Sequence, residues 1–338
     1  MKKFKFLEKF KIGNKVVGGK KTYIIAEGGS NHNGDILLAK KLIDIAVKAK
    51  ADAIKFQLFK ADNLLKKSDK LYKNLKKLEF KKDWIKKTIQ YSNKKKIDIF
   101  FSVFDQNILD YIIKKKIKGI KIASSEIKNL NLIKKAAQSK IPLIISTGMS
   151  DLTDIHEAIQ VIKEFKNNKI ALMQCSSIYP CKPHDINLNV IDKFKSIFNF
   201  PIGFSDHSNN ILPAVAAVSK GAKIVEIHFT FDKNSSGPDH FYSLSPDELN
   251  TLIKNIRYIE TTLGDQEKKP LNEELKYCRK EGLYAKKNLK INQKISYKNI
   301  KVKNPQLGIQ SRFLRLVSGQ TLRRSIKKNN PIKWSDIK

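Results

Sequence analysis

Short apolar runs recur along the first two thirds of the chain and are separated by longer amphipathic stretches. Eight of the runs have the length and the β-branched and aromatic content of buried strands. They span residues 23–27, 53–59, 97–104, 119–124, 142–148, 170–176, 202–206 and 224–230. In the stretch 35–51 the apolar positions follow a helical period instead, and one stripe carries Leu38, Leu42, Ile45, Ala46 and Ala49. The pattern therefore predicts eight strands that alternate with helices.

Eight strand–helix units within about 230–250 residues are typical of a (β/α)8 TIM barrel, and we predict this α/β fold. A doubly wound sheet is the competing interpretation. The Gly-x-Gly-x-x-Gly turn that such a sheet usually carries is absent from the sequence. The stretch 16–22 contains two adjacent glycines but lacks the spacing of a phosphate loop. A β-hairpin that closes the bottom of the barrel is the better interpretation of this stretch.

The alternation stops near residue 247. Ser245 and Glu248 form a capping-box pattern, which predicts the start of a helix that ends at Gly264. The polar residues that follow include Pro270 and predict a linker. Short mixed strands and turns predict a small β-rich domain at the carboxyl end. We therefore divide the chain into a barrel at 1–264, a linker at 265–277 and a small domain at 278–338.

The 338 residues carry a formal net charge of +35, from 67 basic and 32 acidic residues. Almost all of the basic residues are lysine, whereas nucleic-acid recognition favours arginine. A nucleic-acid-binding protein is therefore the weaker alternative, and we expect no nucleic-acid partner. The sequence has no long apolar run, so we expect no membrane span. The three cysteines, Cys175, Cys181 and Cys278, and the lack of a secretory signal predict a reducing cytoplasm.

Polar residues lie at the ends of the predicted strands, where a barrel carries its site. Two lysines, Lys55 and Lys121, lie within buried strands, which is costly unless they meet an anion. Hydroxyl donors lie at Ser124, in the same predicted run as Lys121, and at Ser146 and Ser205 in two further runs, so four strands deliver the set. We interpret this set as a phosphate or carboxylate pocket. The alternative is that each lysine only pairs with a neighbouring carboxylate.

Two histidines, His207 and His228, end adjacent predicted strands. Imidazoles on neighbouring strands can hold one divalent metal and leave coordination positions for substrate. A hydrogen-bonded pair of core histidines is the alternative. His32, in the loop after the first strand, is a weaker candidate for a functional residue. We interpret Cys175 as a small buried hydrophobe with no base partner in the sequence.

These residues lie in motifs that resemble those of the sialic acid synthases, which make N-acetylneuraminate and its bacterial relatives. Residues 26–35, AEGGSNHNGD, are similar to the family motif AExGxNHxG. Further motifs match in order, namely ADAIKFQ, KIASSE, ISTGMS, CSSIYP, GFSDHS, VEIHFT and GPDHFYSL. The tail resembles the small antifreeze-like (SAF) domain that follows the barrel in this family. The resemblance covers essentially the whole chain.

The resemblance implies condensation of phosphoenolpyruvate with an N-acylated hexose, which gives a nine-carbon 2-keto acid and phosphate. It implies phosphoenolpyruvate ligands at Lys55, Lys121, Ser124, Ser146 and Ser205, and Mn²⁺ or Mg²⁺ ligands at His207 and His228. The implied sugar contacts are Glu27, Gln57, Tyr179 and Asp239, with Ser177 beside them. Catalytic roles are implied for Glu27, Glu126 and His228, and the sequence does not choose between Glu27 and Glu126 as the acid–base group. The resemblance also implies a domain-swapped homodimer, in which each tail caps the partner's barrel.

The sugar half departs from the family pattern. Ser177 stands where synthases that make N-acetylneuraminate often have Asn, and Asn304 stands where the tail domain usually has a sugar-binding Arg. Arg312 lies nearby and is a possible substitute. The acceptor is therefore N-acetylmannosamine or a 2,4-diacetamido hexose. A phosphoenolpyruvate-dependent synthase that uses a different aldose is the remaining alternative within this class.

Overall fold

A computed structural model describes residues 4–277 and 280–338. Cys278 lies outside the described residues. The strands are β1 Phe10–Ile12, β2 Lys15–Val17, β3 Tyr23–Gly29, β4 Ala53–Leu58, β5 Asp98–Val103, β6 Ile120–Ile122, β7 Leu143–Ser146, β8 Ile170–Cys175, β9 Ile202–Asp206, β10 Ile224–His228, β11 Gly282–Ala285 and β12 Ile300–Lys303.

The helices are α1 Ile36–Lys48, α2 Ala61–Leu64, α3 Tyr72–Lys77, α4 Lys82–Lys94, α5 Gln106–Lys114, α6 Leu130–Gln138, α7 Leu152–Glu164, α8 Asn189–Ile197, α9 Leu212–Ser219, α10 Pro246–Thr262, α11 Asn272–Tyr277 and α12 Leu314–Val317. Short 3-10 helices occur at Ser124–Glu126, Pro183–Asp185, His240–Tyr242, Ser311–Phe313 and Trp334–Asp336. Within the described residues, no helix combines the length and the apolar character that crossing a membrane requires.

Strands β3 to β10 close a parallel barrel in chain order, with β10 paired to β3. Each of the eight predicted apolar runs contains one of these strands, so the predicted TIM barrel is confirmed. The register brings chemically important residues together at the carboxyl ends. Glu27 lies opposite Lys55, and Ser102 lies opposite Lys121. Glu226 lies opposite Ser205.

The apolar core of the barrel unit has two layers. The larger layer lies between the strands and the surrounding helices, as the apolar stripes of the helices require. The smaller layer lies inside the barrel and includes Tyr23, Phe100 and Met173. The antiparallel hairpin β1–β2 adds buried Phe10 and Val17 to this inner layer. This confirms the predicted hairpin, which covers the amino-terminal end of the barrel and leaves the carboxyl end for a site.

The chain divides into two compact units, one that ends at Gly264 and one formed by Asp265–Lys338. The second unit contains the antiparallel pair β11–β12 and an apolar core of its own, which includes Leu283, Ile309 and Ile332. The predicted linker 265–277 contains the short helix α11. The predicted bounds of the linker, 265–277, and of the small domain, 278–338, stay predictions.

Candidate active site

A cavity of about 260 Å³ lies at the carboxyl ends of the barrel strands. Its walls contain most of the residues that the sequence analysis selected. These are Lys55, Gln57, Lys121, Ser124, Ser146, Ser177, Tyr179, Ser205, His207 and His228. Ser102, Phe104, Met149, Cys175 and Glu226 complete much of the remaining wall. The fold therefore gathers side chains from at least six strands or strand ends around one small volume.

Lys55 on β4 is buried between two carboxylates. Its Nζ lies 2.6 Å from Oε2 of Glu27 and 3.4 Å from Oε1 of Glu226, and it donates to Oγ of Ser102 at 2.8 Å. Burial by itself would lower the pKa of Lys55, but the two carboxylates outweigh burial and raise it. Lys55 is therefore a permanent cation in the cavity wall.

Lys121 on β6 has weaker compensation. Its Nζ donates to Oγ of Ser146 at 2.6 Å and lies 3.3 Å from Oε1 of Glu226. Burial lowers the pKa of Lys121, because only one carboxylate lies within ion-pair distance of it. An anion bound in the cavity would supply the missing negative charge.

Glu226 on β10 connects the two lysines. Burial would raise the pKa of Glu226, but Lys121 and Lys55 lower it to about 2. Its Oε1 also accepts from Oγ of Ser205 at 3.1 Å, whereas its buried Oε2 has no hydrogen-bond partner among the described residues. Glu226 was not among the predicted site residues. Its position two residues before His228, on the same face of the strand, was the available signal.

Glu27 lies behind Lys55, and its pKa is shifted in the direction opposite to that of Glu226. Its Oε1 accepts from the Gly29 N–H at 2.8 Å and from Nε2 of Gln57 at 3.3 Å. Burial raises the pKa of Glu27, although Lys55 opposes this effect. The pKa values of the two buried carboxyls are thus moved apart, which is typical of groups with different roles in one site.

Ser124 lies close to the backbone of the next strand end. Its Oγ accepts from the Gly148 N–H at 3.0 Å. A Cβ at residue 148 would lie only 2.2 Å from Oγ of Ser177 and 2.9 Å from Oγ of Ser124. Glycine at this position therefore allows both hydroxyls to approach the cavity wall.

The two histidine rings lie side by side, with 5.4 Å between their centroids. Nδ1 of His207 lies 2.7 Å from the carbonyl oxygen of Ser176, so this nitrogen donates. Burial would lower the pKa of His207, but Cys175 outweighs burial and raises it. Burial lowers the pKa of His228 to about 3, which keeps that imidazole neutral. A metal binds the neutral form of an imidazole, which a cation beside His207 would favour, so the pair fits a divalent ion. Among the described residues, no group of three or more His, Cys, Asp and Glu side chains is arranged around a metal position.

Cys175 lies in the cavity wall rather than in an inert core position. Its Sγ is 3.9 Å from Nδ1 of His207, and it accepts from Oγ of Ser124 at 3.5 Å. Burial would raise the pKa of this thiol, but His207 lowers it to about 7. Cys175 therefore has an ionisable partner that the sequence did not indicate, although Nδ1 of His207 donates its proton to Ser176 and does not act as a base toward the thiol. The partner is 32 positions away in sequence and is brought close because β8 and β9 are neighbours.

A second cavity, of about 390 Å³, shares Gln57, Tyr179 and His228 with the first. Asp239 and Tyr242 line it as well. Two of the predicted site residues line neither cavity, namely Glu27, which lies behind Lys55, and Glu126. Glu126 lies in the 3-10 helix after β6 and bonds Asn129 at 3.0 Å and Ser125 at 3.2 Å.

Two other histidines have core surroundings. His32 is buried, and its ring packs edge-on against Phe80 and Trp84. His240 hydrogen-bonds Thr230 at 2.6 Å and Asn33 at 3.0 Å. Neither ring lines either cavity.

Comparison with known proteins places both parts of the chain in known families. Residues 42–268 match the NeuB family, and residues 280–338 match the SAF domain. The chain belongs to the NeuB family. The resemblance to the sialic acid synthases and the predicted SAF domain are therefore confirmed.

Several relatives of this chain are named as synthases. The chain is 40% identical over 310 residues to the N,N'-diacetyllegionaminic acid synthase of Campylobacter jejuni, covering 86% of this chain and 93% of the relative. It is 35% identical to the synthase of the same name from Legionella pneumophila, covering 93% of this chain and 94% of the relative. A crystal structure of an N-acetylneuraminic acid synthetase from Leptospira borgpetersenii is 35% identical, with a TM-score of 0.77, and the match covers 81% of this chain and 96% of that chain. The protein is thus an enzyme of the sialic acid synthase type.

Proposed function

We propose that this enzyme condenses phosphoenolpyruvate with an N-acylated hexose to form a nine-carbon 2-keto acid and phosphate. The observation that carries the proposal is the pair Lys55 and Lys121, buried on neighbouring parts of the barrel and lining one small cavity. Phosphoenolpyruvate has a phosphate and a carboxylate. Either group would add negative charge beside Lys121, whose ion-pair partner is Glu226.

The phosphoenolpyruvate half would use the lysines and three hydroxyls. Lys55 and Lys121 would hold the phosphate and the carboxylate, with Ser124, Ser146 and Ser205 donating hydrogen bonds to their oxygens. C3 of phosphoenolpyruvate attacks the sugar aldehyde carbon, water adds at C2, and the bond from C2 to the phosphate oxygen breaks. The water oxygen becomes the 2-keto oxygen, and of its two protons one ends on the former aldehyde oxygen and the other on the released phosphate.

Glu27 is the better placed of the two predicted acid–base groups. Its raised pKa suits a group that gains and releases a proton, and it contacts Lys55 and Gln57 in the cavity wall. Glu226, with its pKa near 2, would instead remain an anion that holds both lysines in place.

His207 and His228 would hold the divalent ion, Mn²⁺ or Mg²⁺. Lewis-acid polarisation of the aldehyde carbonyl is the chemistry that such an ion supplies when bound. The imidazoles are suited to it because His207 has its Nδ1 hydrogen-bonded and His228 is held neutral by burial.

For the acceptor we propose a 2,4-diacetamido hexose. The two relatives named diacetyllegionaminic acid synthases support this choice, and so do Ser177 and Asn304, which depart from the pattern for N-acetylmannosamine. N-acetylmannosamine is the second candidate, favoured by the similarity to the N-acetylneuraminic acid synthetase structure.

The test is to incubate the protein with phosphoenolpyruvate, Mn²⁺ and a panel of N-acylated hexoses, and to measure phosphate and 2-keto acid. We expect both products with at least one hexose and the highest kcat/KM with the diacetamido sugar. In the variant Lys121→Met, kcat/KM for phosphoenolpyruvate should fall about 10- to 100-fold, since a buried charge-assisted hydrogen bond is lost. The exposed Lys163→Met is the matched control and should behave as wild type. Absence of phosphate release with every hexose would overturn the proposal.

A further inference from the structure

Tyr242 occupies a wall of the second cavity and was not selected from the sequence. It lies in the 3-10 helix His240–Tyr242, immediately after Asp239, and only 5% of its surface is exposed. Its ring centroid is 5.2 Å from that of His228 and 5.3 Å from that of Tyr179. The ring thus packs against both His228 and Tyr179.

The hydroxyl of Tyr242 donates to Oδ1 of Asp239 at 2.8 Å. On the other side, Oδ2 of Asp239 accepts from the Ser30 N–H at 2.8 Å. Each carboxylate oxygen therefore has one partner inside the protein and retains capacity for a further donor. The carboxylate is held at both oxygens while it lines a cavity large enough for part of a sugar.

Gly29 makes this arrangement possible from the opposite side. Its φ is +47°, and a Cβ built there would lie 2.6 Å from Oδ2 of Asp239 and 3.3 Å from Nδ1 of His228. A side chain at residue 29 would thus push the carboxylate away. The position of Asp239 is therefore determined from two sides, by Gly29 and the Ser30 N–H at the end of β3 and by the Tyr242 hydroxyl of the 3-10 helix.

The Tyr242 hydroxyl is also a neutral group. Its proton is donated to Asp239, so its oxygen remains available as an acceptor. Burial, with a contribution from Asp239, raises the pKa of this hydroxyl, so it keeps its proton and directs it to the carboxylate. Its lone pairs are then the only polar feature that it offers to the cavity. Asp239 and Tyr242 together present acceptors, which suits the O–H and N–H groups of an N-acylated sugar and not an anion.

We infer that Tyr242 is a positioning residue that holds Asp239 for the acceptor sugar and thereby sets the affinity for that sugar but not for phosphoenolpyruvate. The inference rests on the proposed function and assigns a specificity role within its site. A merely structural role for Tyr242 is the competing explanation, because the ring is buried among aromatic neighbours.

The variant Tyr242→Phe separates the two explanations, since it keeps the ring and removes only the hydroxyl. We expect KM for the acceptor sugar to rise about 10-fold, KM for phosphoenolpyruvate to stay within about 2-fold, and the melting temperature to be unchanged. The control is Tyr258→Phe, because Tyr258 is 70% exposed on α10 and belongs to neither cavity. All kinetic constants of this control should match wild type.

A double-mutant cycle tests whether Tyr242 acts through Asp239. In the background of Asp239→Asn, adding Tyr242→Phe should raise the sugar KM by less than 2-fold, because the partner of the hydroxyl has already changed. If the wild type is active and Tyr242→Phe leaves the sugar KM unchanged, the inference is overturned and the proposed function stands. Equal increases in both KM values, or full additivity with Asp239→Asn, would overturn the inference too. An inactive wild type would overturn the inference together with the proposed function.

Discussion

The sequence predicts an acid–base role for both Glu27 and Glu126, but the structure places the two carboxylates in different surroundings. Glu27 is fully buried beside Lys55, whereas Glu126 bonds to Ser125 and Asn129 outside both cavities. The separation arises because Glu27 lies within a strand of the barrel, while Glu126 ends the 3-10 helix that follows β6. Sequence motifs place both near the site, but only the backbone path after β6 determines where Glu126 lies.

Isosteric variants of these residues test which one carries the proton. We expect Glu27→Gln to lower kcat about 100-fold, within the usual contribution of a positioned acid–base group. Glu126→Gln should lower kcat by less than about 5-fold, since its carboxylate contacts no cavity residue except Ser125. Steady-state kinetics with saturating substrates measures both. A loss in Glu126→Gln as large as in Glu27→Gln would assign the proton transfer to Glu126 or to both residues.

Cys175 is a second residue whose surroundings could not be predicted from the sequence. Its sequence neighbours contain no base, so the sequence indicates an inert thiol. The environment of this thiol is set by His207 on the next strand and by Ser124 from a strand farther along the barrel. Such pKa effects depend on distances across strands, which periodicity does not specify.

At the scale of elements, the capping box before α10 was predicted and is present. The Glu248 N–H donates to Oγ of Ser245 at 3.3 Å, and the Ser245 N–H donates to Oε2 of Glu248 at 2.7 Å. These contacts are local in sequence, so a four-residue pattern was sufficient to predict them. A hairpin was predicted for the stretch 16–22, whereas the observed hairpin β1–β2 spans residues 10–17, so the sequence indicated this element but not its bounds.

The variant Ser245→Ala should destabilise this helix start. It removes the acceptor for the Glu248 N–H, and we expect the free energy of unfolding to fall by about 1 kcal/mol. Guanidinium unfolding followed by circular dichroism measures the change. The control is Ser219→Ala at the exposed end of α9, which should stay within about 0.5 kcal/mol of wild type. An unchanged stability in Ser245→Ala would mean that the capping box contributes nothing measurable.

Helix α1 shows what amphipathic patterning leaves open. The predicted stripe included Leu38 and Ile45, which are only half-buried, and missed Ala39 and Ile43, which are fully buried. The positions of Leu38 and Ile45 and those of Ala39 and Ile43 are all apolar, so the sequence specifies a broad apolar surface but not the line along which it packs. Packing against the barrel strands selects the side with the smaller Ala39.

At the scale of the whole molecule, we propose the homodimer that the family resemblance implied. Exposed large apolar side chains in the carboxyl-terminal unit support it, and these include Val302, Leu307, Leu316 and Trp334. Sedimentation velocity should show a species of about 77 kDa, twice the chain mass of 38.7 kDa. Leu307→Glu should shift the population toward monomer, and Leu37→Glu, on the exposed side of α1, should not. A monomer at micromolar concentration in the wild type would contradict the proposal.

The charge of +35 also belongs to this scale. The basic residues that line the first cavity are Lys55 and Lys121, and each is compensated in part by Glu226. The remaining charge does not identify a macromolecular partner. Its expected effect is weak long-range attraction of an anionic substrate.

The sequence by itself determined the order of strands and helices, the barrel, the SAF domain and the family, because these depend on local periodicity and on residues at strand ends. It also selected most of the residues that line the first cavity. The tertiary structure decided how the charges are shared, with Glu226 between two lysines and Glu27 behind one of them. It likewise decided that Asp239 is held by Ser30 and Tyr242. Electrostatic and hydrogen-bonding partners depend on distances of a few ångströms, and those distances are set only when the barrel closes.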